Sequence, residues 1–197
     1  MSLKFQYNKI SQLQLIKQLG VREKALPTLK NKEAALRVEV KKARNKAAEL
    51  DQQVIERTKE LDVFMKLWSE FDPDLISIKE VSIKTQKIAG VKTPVLEDID
   101  YEIAPFNLFT KPSWYLDGIV LLKELSHLQI EREFFLRKMH ILEHVRKKTT
   151  QKVNLYEKVQ IPAFEDAIMK IKRYLEDEEN LSKAAQKILK NRTEELQ

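Results

Sequence analysis

The side chains best suited to chemistry lie in one helical segment, His140-Ile-Leu-Glu-His144. Two histidines four residues apart share one face of a helix, with a carboxylate between them, and this is the H-x-x-E-H pattern of inverted zinc peptidases. A catalytic zinc also needs a third ligand and an open cavity, which two paired helices do not offer. Because Leu142 belongs to an apolar stripe, we expect both histidines to lie at the surface or its boundary, without a metal.

Other residues that could do chemistry lack the pattern that a catalytic site needs. The glycines Gly20, Gly90 and Gly118 are isolated, so they form no glycine-rich phosphate loop. No strand-turn-helix context presents a Ser-His-Asp triad, and the absence of cysteine excludes disulfides and thiolate metal sites. We therefore expect a protein that is not an enzyme by itself, with no catalytic residue and no cofactor.

Two basic clusters, residues 41–46 and 146–148, have the charge to bind nucleic acid or phospholipid head groups. The net charge of +6 is modest for a chain in which 34% of the residues are charged, and Glu39 and Glu49 lie close to the first cluster. Clusters on the outer face of a coiled coil are usually solvated surface, so that interpretation is favoured here. We expect no nucleic-acid partner.

The elements that position these residues are two long heptad-patterned segments. In the first segment, apolar residues recur in steps of three and four from Leu29 to Phe71, and only Glu33 and Arg57 interrupt the series. This spacing keeps one stripe facing a partner helix and therefore predicts a coiled coil. The second segment, from Trp114 to about residue 194, follows the same rule.

Prolines indicate where these helices should end or bend. Asp72-Pro73 predicts the end of the first helix, because proline disfavours the helical conformation of the residue before it. Pro27 lies inside the pattern and predicts a kink or the true start of that helix. In the second helix the apolar series changes phase after Tyr156, and Pro162 near the change predicts a local bend.

Between the helices the apolar period changes to two. Residues 78–85 and 99–103 alternate on either side of a turn at residues 89–94, which predicts a β-hairpin. An isolated two-stranded hairpin is marginally stable in water. We therefore expect it to lie against the helices or against another protein.

The predicted fold is mainly α, a long antiparallel two-helix coiled coil with a short β-hairpin insert between the helices. The predicted domains are residues 1–72 for the N-terminal helix, 73–113 for the hairpin and loop, and 114–197 for the C-terminal helix. If Phe71 lies near Tyr115, Arg57 lies near Glu131 or Glu133. The same register leaves about 20 residues at the end of the second helix without a partner helix.

Aromatic and apolar residues concentrate around the hairpin, in greater number than two helices and two strands can easily bury. Some of them should close the core and others should contact a partner protein, and the sequence leaves both roles open. The predicted partner interface consists of Phe64, Trp68, Phe71, Val81, Ile83, Ile99, Tyr101, Trp114, Phe134 and Phe135. The predicted tip of the second helix carries the basic residues Lys187, Lys190 and Arg192.

No segment is predicted to cross a membrane. The best apolar run, residues 119–122, is far shorter than the ~20 residues that a spanning helix needs. The first ten residues also lack the apolar stretch of a signal peptide. Any association with a membrane is therefore expected to be peripheral, through a partner.

Three segments resemble a known family. Ile88-Ala-Gly-Val-Lys-Thr-Pro-Val-Leu-Glu97 is similar to the A-G-V-x-x-P-x-(F/L)-E turn of the D subunits of V-type and archaeal A-type rotary ATPases. Val153-Asn-Leu-Tyr-Glu-Lys-Val-Gln-Ile-Pro162 resembles that family's V-N-x-x-E-x-x-x-I-P stretch. Leu29-Lys-Asn-Lys-Glu-Ala-Ala-Leu36 resembles its L-K-x-K-R-D-A-L stretch, with Glu33 and Ala34 in place of Arg-Asp.

The resemblance implies the central rotor shaft of a membrane-bound ATPase, which couples ATP hydrolysis or synthesis to proton or sodium transport. It also implies three sets of partners: the small central-stalk F subunit near the hairpin, the catalytic and regulatory subunits of a hexamer around the helix tip, and a funnel-shaped subunit above the membrane rotor ring. The expected location is peripheral, on the cytoplasmic side of the membrane.

Two other classes of protein share parts of the pattern. A prefoldin-like chaperone arm also places a β-hairpin between antiparallel coiled helices, although this chain is longer than such an arm usually needs. A basic coiled coil that binds RNA or curved membrane is the other alternative, and salt-dependent binding would reveal it.

Overall fold

The computed structural model describes residues 4–62, 68, 70–107, 109 and 111–195. The elements before the second helix are α1 (Lys9–Asp62), a short 3-10 turn (Pro73–Leu75), β1 (Ile76–Ile88) and β2 (Val91–Ile103). They are followed by α2 (Trp114–Leu155), a π-helical turn (Tyr156–Gln160) and α3 (Ile161–Glu195). The predicted fold class is confirmed, since the chain is mainly helical with a two-stranded antiparallel hairpin between its long helices.

The chain divides into two compact units, one containing Glu33–Lys147 and the other containing Met1–Lys32 with Lys148–Gln197. In the unit Glu33–Lys147, the predicted stripe of α1 is buried. Its buried members are Leu36, Val40, Ala43, Ala47 and Leu50, each at most 7% exposed. Leu142 of α2 packs in the same cluster as Leu36 and Val40, which confirms the heptad pattern as the source of the core.

The two helices of this unit run antiparallel. Asp51 of α1 pairs with Arg132 of α2 at an Oδ1–Nε distance of 2.7 Å, and the ring centroids of Phe71 and Tyr115 are 5.1 Å apart. The predicted Phe71–Tyr115 pairing is therefore confirmed.

Arg57 does not pair as the sequence predicted. Its guanidinium lies 2.9 Å from Glu60 and 3.7 Å from Glu124, and not against Glu131 or Glu133. The prediction was wrong because it counted helical rises back from Phe71, which lies outside α1. Glu133 instead pairs with Arg137, one turn along its own helix.

The hairpin turn is tighter than the predicted turn at residues 89–94. Ile88 pairs with Val91, so Ala89 and Gly90 form a two-residue turn. Their φ angles of 48° and 78° are both positive, as a type I′ turn requires. Pro94 belongs to β2 opposite Thr85, where a strand at the edge of a two-stranded sheet tolerates the missing N–H.

In the unit that contains Met1–Lys32 and Lys148–Gln197, α1 packs against α3 through a small core. Leu15 of α1 is buried with Phe164, Ala167 and Ile171 of α3. The phase-shifted apolar series predicted after Tyr156 is therefore confirmed as a packing face as far as Leu175, while its last members, Ala185 and Leu189, are exposed. Pro27 lies inside α1, so it does not mark the start of that helix.

The change of phase coincides with the π-helical turn that directly precedes Pro162. Thr149 and Ile171 are both buried, and they are separated by three heptads plus one residue. A π turn holds one residue more than an α turn, so it absorbs the extra residue and returns the apolar stripe to the same side. The irregularity that the sequence predicted near Pro162 is thus a one-residue insertion in the helix.

Candidate functional site

One face of the hairpin is seated on the helices of the unit Glu33–Lys147. Val91 packs against Leu36, Val40 and Leu142. The Tyr101 hydroxyl donates to the Lys123 carbonyl at 3.2 Å and lies 2.9 Å from Ser126 Oγ. This arrangement fixes the hairpin along the helices and leaves its other face available.

The hairpin carries exposed isoleucines. Ile83, opposite Leu96, is 58% exposed and Ile78, opposite Tyr101, is 47% exposed. Val81 is half-buried and lies opposite the buried Ile99. Of the predicted interface residues in the strands, Ile83 is therefore exposed and Val81 is half-buried. Ile99 is buried, and Tyr101 is held by its bonds to the helix.

A groove of about 260 Å³ runs between β2 and α2 in the same unit. Phe134 and Phe135 line its helical side, and both are half-buried. Lys138 Nζ lies 5.7 Å from the Phe135 ring centroid, and Glu131 lines the same groove. Apolar rings rimmed by charges of both signs are typical of a protein contact surface.

An aromatic cluster closes the end of the unit near the start of α2. The Trp114 ring lies 5.8 Å from Trp68 and 5.9 Å from Phe71, measured between centroids. Tyr115 is buried there and its hydroxyl donates to the Glu70 carbonyl. Trp68, Phe71 and Trp114 are half-buried, so they contribute to this core and keep part of their surface open.

Two further phenylalanines bear on the predicted interface. Phe64, which belongs to the predicted set, lies outside the residues that the structure describes. Phe109, in the loop before α2, is 99% exposed. Sequence reasoning missed it because a single phenylalanine in a loop follows no period.

The histidine motif lies on an exposed part of α2. His140 and His144 are exposed on α2. Across the described residues, no group of three or more histidine, cysteine, aspartate or glutamate side chains is placed to hold a metal ion. Glu143, the carboxylate of the motif, is held by the Arg146 guanidinium at 2.7 and 2.9 Å. These hydrogen bonds lower the pKa of Glu143.

Part of the first basic cluster is neutralised locally. Lys42 pairs with Glu39 at 2.9 Å and Lys46 pairs with Glu49 at 3.0 Å. These pairs agree with the interpretation of residues 41–46 as a solvated helix face.

The end of α3 forms an overhang, here defined as residues 176–194. Every residue of the overhang is exposed, as the predicted register required. Lys187, Lys190 and Arg192 lie on it, and Lys190 Nζ is 3.7 Å from Glu194 Oε1. The overhang also exposes the large apolar side chains Leu181, Ile188 and Leu189. Leu189 belongs to the apolar series predicted after Tyr156, whereas the sequence prediction did not single out Leu181 or Ile188.

The described part of the chain contains no helix that is both long enough and apolar enough to span a bilayer.

Comparison with known proteins gives one consistent family. The family model for the D subunit of ATP synthase matches residues 11–191. The D subunit of the V-type ATP synthase of Borreliella burgdorferi is 33% identical over 178 residues, which cover 88% of this chain and 87% of that protein. The corresponding V-type D subunit of Chlamydia pneumoniae is 29% identical over 157 residues, covering 77% and 75% of the two chains. This protein therefore belongs to the family of ATP synthase D subunits.

Proposed function

We propose that this chain is the central-stalk rotor shaft of a V/A-type rotary ATPase and is itself non-catalytic. The observation that carries the proposal is the match to the D-subunit family along nearly the whole chain, with relatives named as components of V-type ATP synthases. In this role the chain couples ATP hydrolysis or synthesis in a catalytic hexamer to proton or sodium transport. It acts on the cytoplasmic side of the membrane, as a peripheral part of the complex.

Helix pairing suits the transmission of torque. Buried side chains from Leu36 to Leu50 pack against α2, and Leu15 packs against α3. A load applied to such a core is distributed over many close-packed contacts, because protein interiors resist compression and transmit strain. An asymmetric shaft that turns inside the hexamer presents a different side to each catalytic interface, so the three interfaces differ in their affinity for nucleotide.

The overhang is proposed as the axle tip. Its exposed apolar residues and its basic residues Lys187, Lys190 and Arg192 would lie among the catalytic and regulatory subunits of the hexamer. Basic side chains there would turn against an acidic sleeve.

The outer hairpin face and the groove beside it are proposed as the contact surface for the small central-stalk F subunit. Apolar area on this unit comes from the exposed Ile83 on the hairpin and from Phe134 and Phe135 in the groove, with the half-buried Val81 nearby. The partly open Trp68, Phe71 and Trp114, with the loop residue Phe109, are proposed to contact the funnel-shaped subunit above the membrane ring.

Substitution of Ile83 by glutamate tests the proposed contact with the F subunit. We expect Ile83→Glu to abolish a one-to-one complex with the co-expressed F subunit, because it buries a charge in an apolar contact. The measurement is the mass of the co-purified complex by size exclusion with light scattering. Val38→Glu is a matched control, since Val38 on α1 is 53% exposed and Ile83 is 58% exposed.

Retention of the complex by Ile83→Glu would contradict this contact surface.

The proposed function as a rotor shaft is tested by reconstitution of the ATPase with and without the chain. ATP-driven ion transport that needs the chain supports the proposal. Assembly of the chain into hexamers with chaperone subunits would refute it and favour a prefoldin-like arm.

A further inference from the structure

The π-helical turn Tyr156–Gln160 is a weak point in the second helical segment. None of its residues is buried. The Ile161 N–H donates to the Tyr156 carbonyl, five residues back, and Pro162 has no N–H to continue the α-helical series. A segment with few buried contacts and exposed backbone hydrogen bonds opens locally at low free-energy cost.

The turn is tethered by side chains of α1 within the same unit. Arg22 Nε donates to Gln160 Oε1 at 2.7 Å, and the Arg22 guanidinium lies 4.4 Å from the ring centroid of Phe164. Lys30 Nζ donates to Glu157 Oε1 at 2.6 Å. Two cations on α1 therefore hold the two ends of the turn.

Buried residues on both sides of the turn stay packed. Thr149 and Val153 are buried before it, and Phe164 and Ala167 are buried after it. Twist applied along the helix is therefore resisted at these positions by packing and at the turn by polar tethers. Opening of the exposed hydrogen bonds at the turn changes the twist between these packed positions without moving a buried side chain out of its cluster.

We propose that the turn is a torsional joint of the shaft, in which its exposed hydrogen bonds open and re-form under load, with Arg22 and Lys30 limiting the range. The role under load rests on the proposed function as a rotor. The joint itself is a property of the folded chain, and it makes the helix locally compliant where its neighbours are rigid.

Amide hydrogen exchange on the full-length chain tests the joint without any ATPase assay. We expect amides of residues 156–161 to exchange faster than those of residues 164–171. Arg22→Gln removes a charge-assisted hydrogen bond and the contact with Phe164, so exchange in the turn should rise by about fivefold. Arg22→Lys keeps the charge and loses the planar guanidinium, so its exchange rate in the turn should lie between those of the wild type and Arg22→Gln.

Deletion of Lys158 tests the role of the extra residue. The shortened segment can continue as an α-helix with its heptads in phase, so exchange over residues 156–161 should slow by about tenfold. Deletion of Asn180 in the overhang is the matched control, because it removes one residue where every side chain is exposed. It should leave the exchange of the turn unchanged.

The proposal is overturned if the wild-type turn exchanges as slowly as residues 164–171, or if Arg22→Gln leaves its exchange unchanged. The Arg22 result decides the matter even where the Lys158 deletion fails to fold. In an assembled ATPase, deletion of Lys158 should reduce the torsional fluctuations of the shaft, measured with an attached bead. A chain that does not rotate would refute the rotor function while leaving the exchange result intact.

Discussion

Glu33, an interruption in the apolar series of the sequence, forms an ion pair between the helices. Its carboxylate lies 2.9 Å from Arg37 on α1 and 3.6 Å from Arg146 on α2, and its side chain is only 15% exposed. Arg146 in turn holds Glu143. A polar group at a seam position commonly fixes the register of a coiled coil at some cost in stability, and we assign that role to these four side chains.

Loss of Arg146 should destabilise the fold measurably. Arg146→Ala leaves Glu33 and Glu143 without a shared cation in a half-buried site, and we expect a loss of about 1–3 kcal/mol in the free energy of unfolding. Urea denaturation measures it. Lys183→Ala is the control, because Lys183 pairs with Glu179 on the exposed overhang. An equally small effect of both substitutions would contradict the register role of Arg146.

The same cluster predicts a dependence of stability on pH. Hydrogen bonds from Arg146 lower the pKa of Glu143 in the folded state, so the folded state binds this proton less readily than the unfolded state does. The resulting stability is complete above the unfolded carboxyl pKa of about 4.3 and is lost as the pH falls through the lower folded pKa. Urea midpoints across this range should fall less steeply for Glu143→Gln than for the wild type. Identical profiles would exclude the contribution of Glu143.

At the scale of the element, two glycines inside helices should respond differently to alanine. A Cβ at Gly20 of α1 has no atom within 4 Å, whereas a Cβ at Gly118 of α2 lies 3.3 Å from both Phe71 and Trp114 ring atoms. Gly20→Ala should stabilise the chain by roughly 0.5–1 kcal/mol, because alanine loses less backbone entropy in a helix.

Gly118→Ala should lose that gain and destabilise by up to about 1 kcal/mol, because the aromatic cluster has to move. Denaturant unfolding of the two variants provides the comparison, and each serves as the control for the other. Equal stabilisation by both would show that the aromatic cluster accommodates the methyl group freely.

The elements also differ in how far the sequence determines them. Heptad spacing predicted the buried face of α1, and alternation predicted both strands, because each pattern follows from the geometry of one element. The extra residue after Tyr156 was visible in the sequence as a change of phase in the apolar series. The sequence did not show whether the helix bends there or forms a π turn. A bend at Pro162 and a π turn before it are both compatible with that spacing. In the folded chain Thr149 before the turn and Phe164 after it are both buried, which the π turn permits by holding one more residue.

At the scale of the whole molecule, we expect the overhang to be needed for function and not for the stability of the fold. Deletion of residues 177–197 should leave the unfolding midpoint unchanged, because each described residue from 176 to 194 is exposed. In the reconstituted ATPase the same deletion should abolish most ATP-driven ion transport, because it removes the proposed axle tip. Charge reversal at Lys187, Lys190 and Arg192 is the milder test. Full transport by the truncated chain would contradict the proposed tip.

The sequence by itself determined the fold class, the buried stripe of α1 and the exposed end of the second helix. These follow from periodicity and element length, which are local properties. Tertiary structure decided which apolar residues remain accessible. Ile83 and Ile99 have the same type and lie in the same hairpin, yet one is exposed and the other buried. Tertiary structure also decided the partners of Glu33 and Arg57, because pairing across helices depends on a register that no single helix contains.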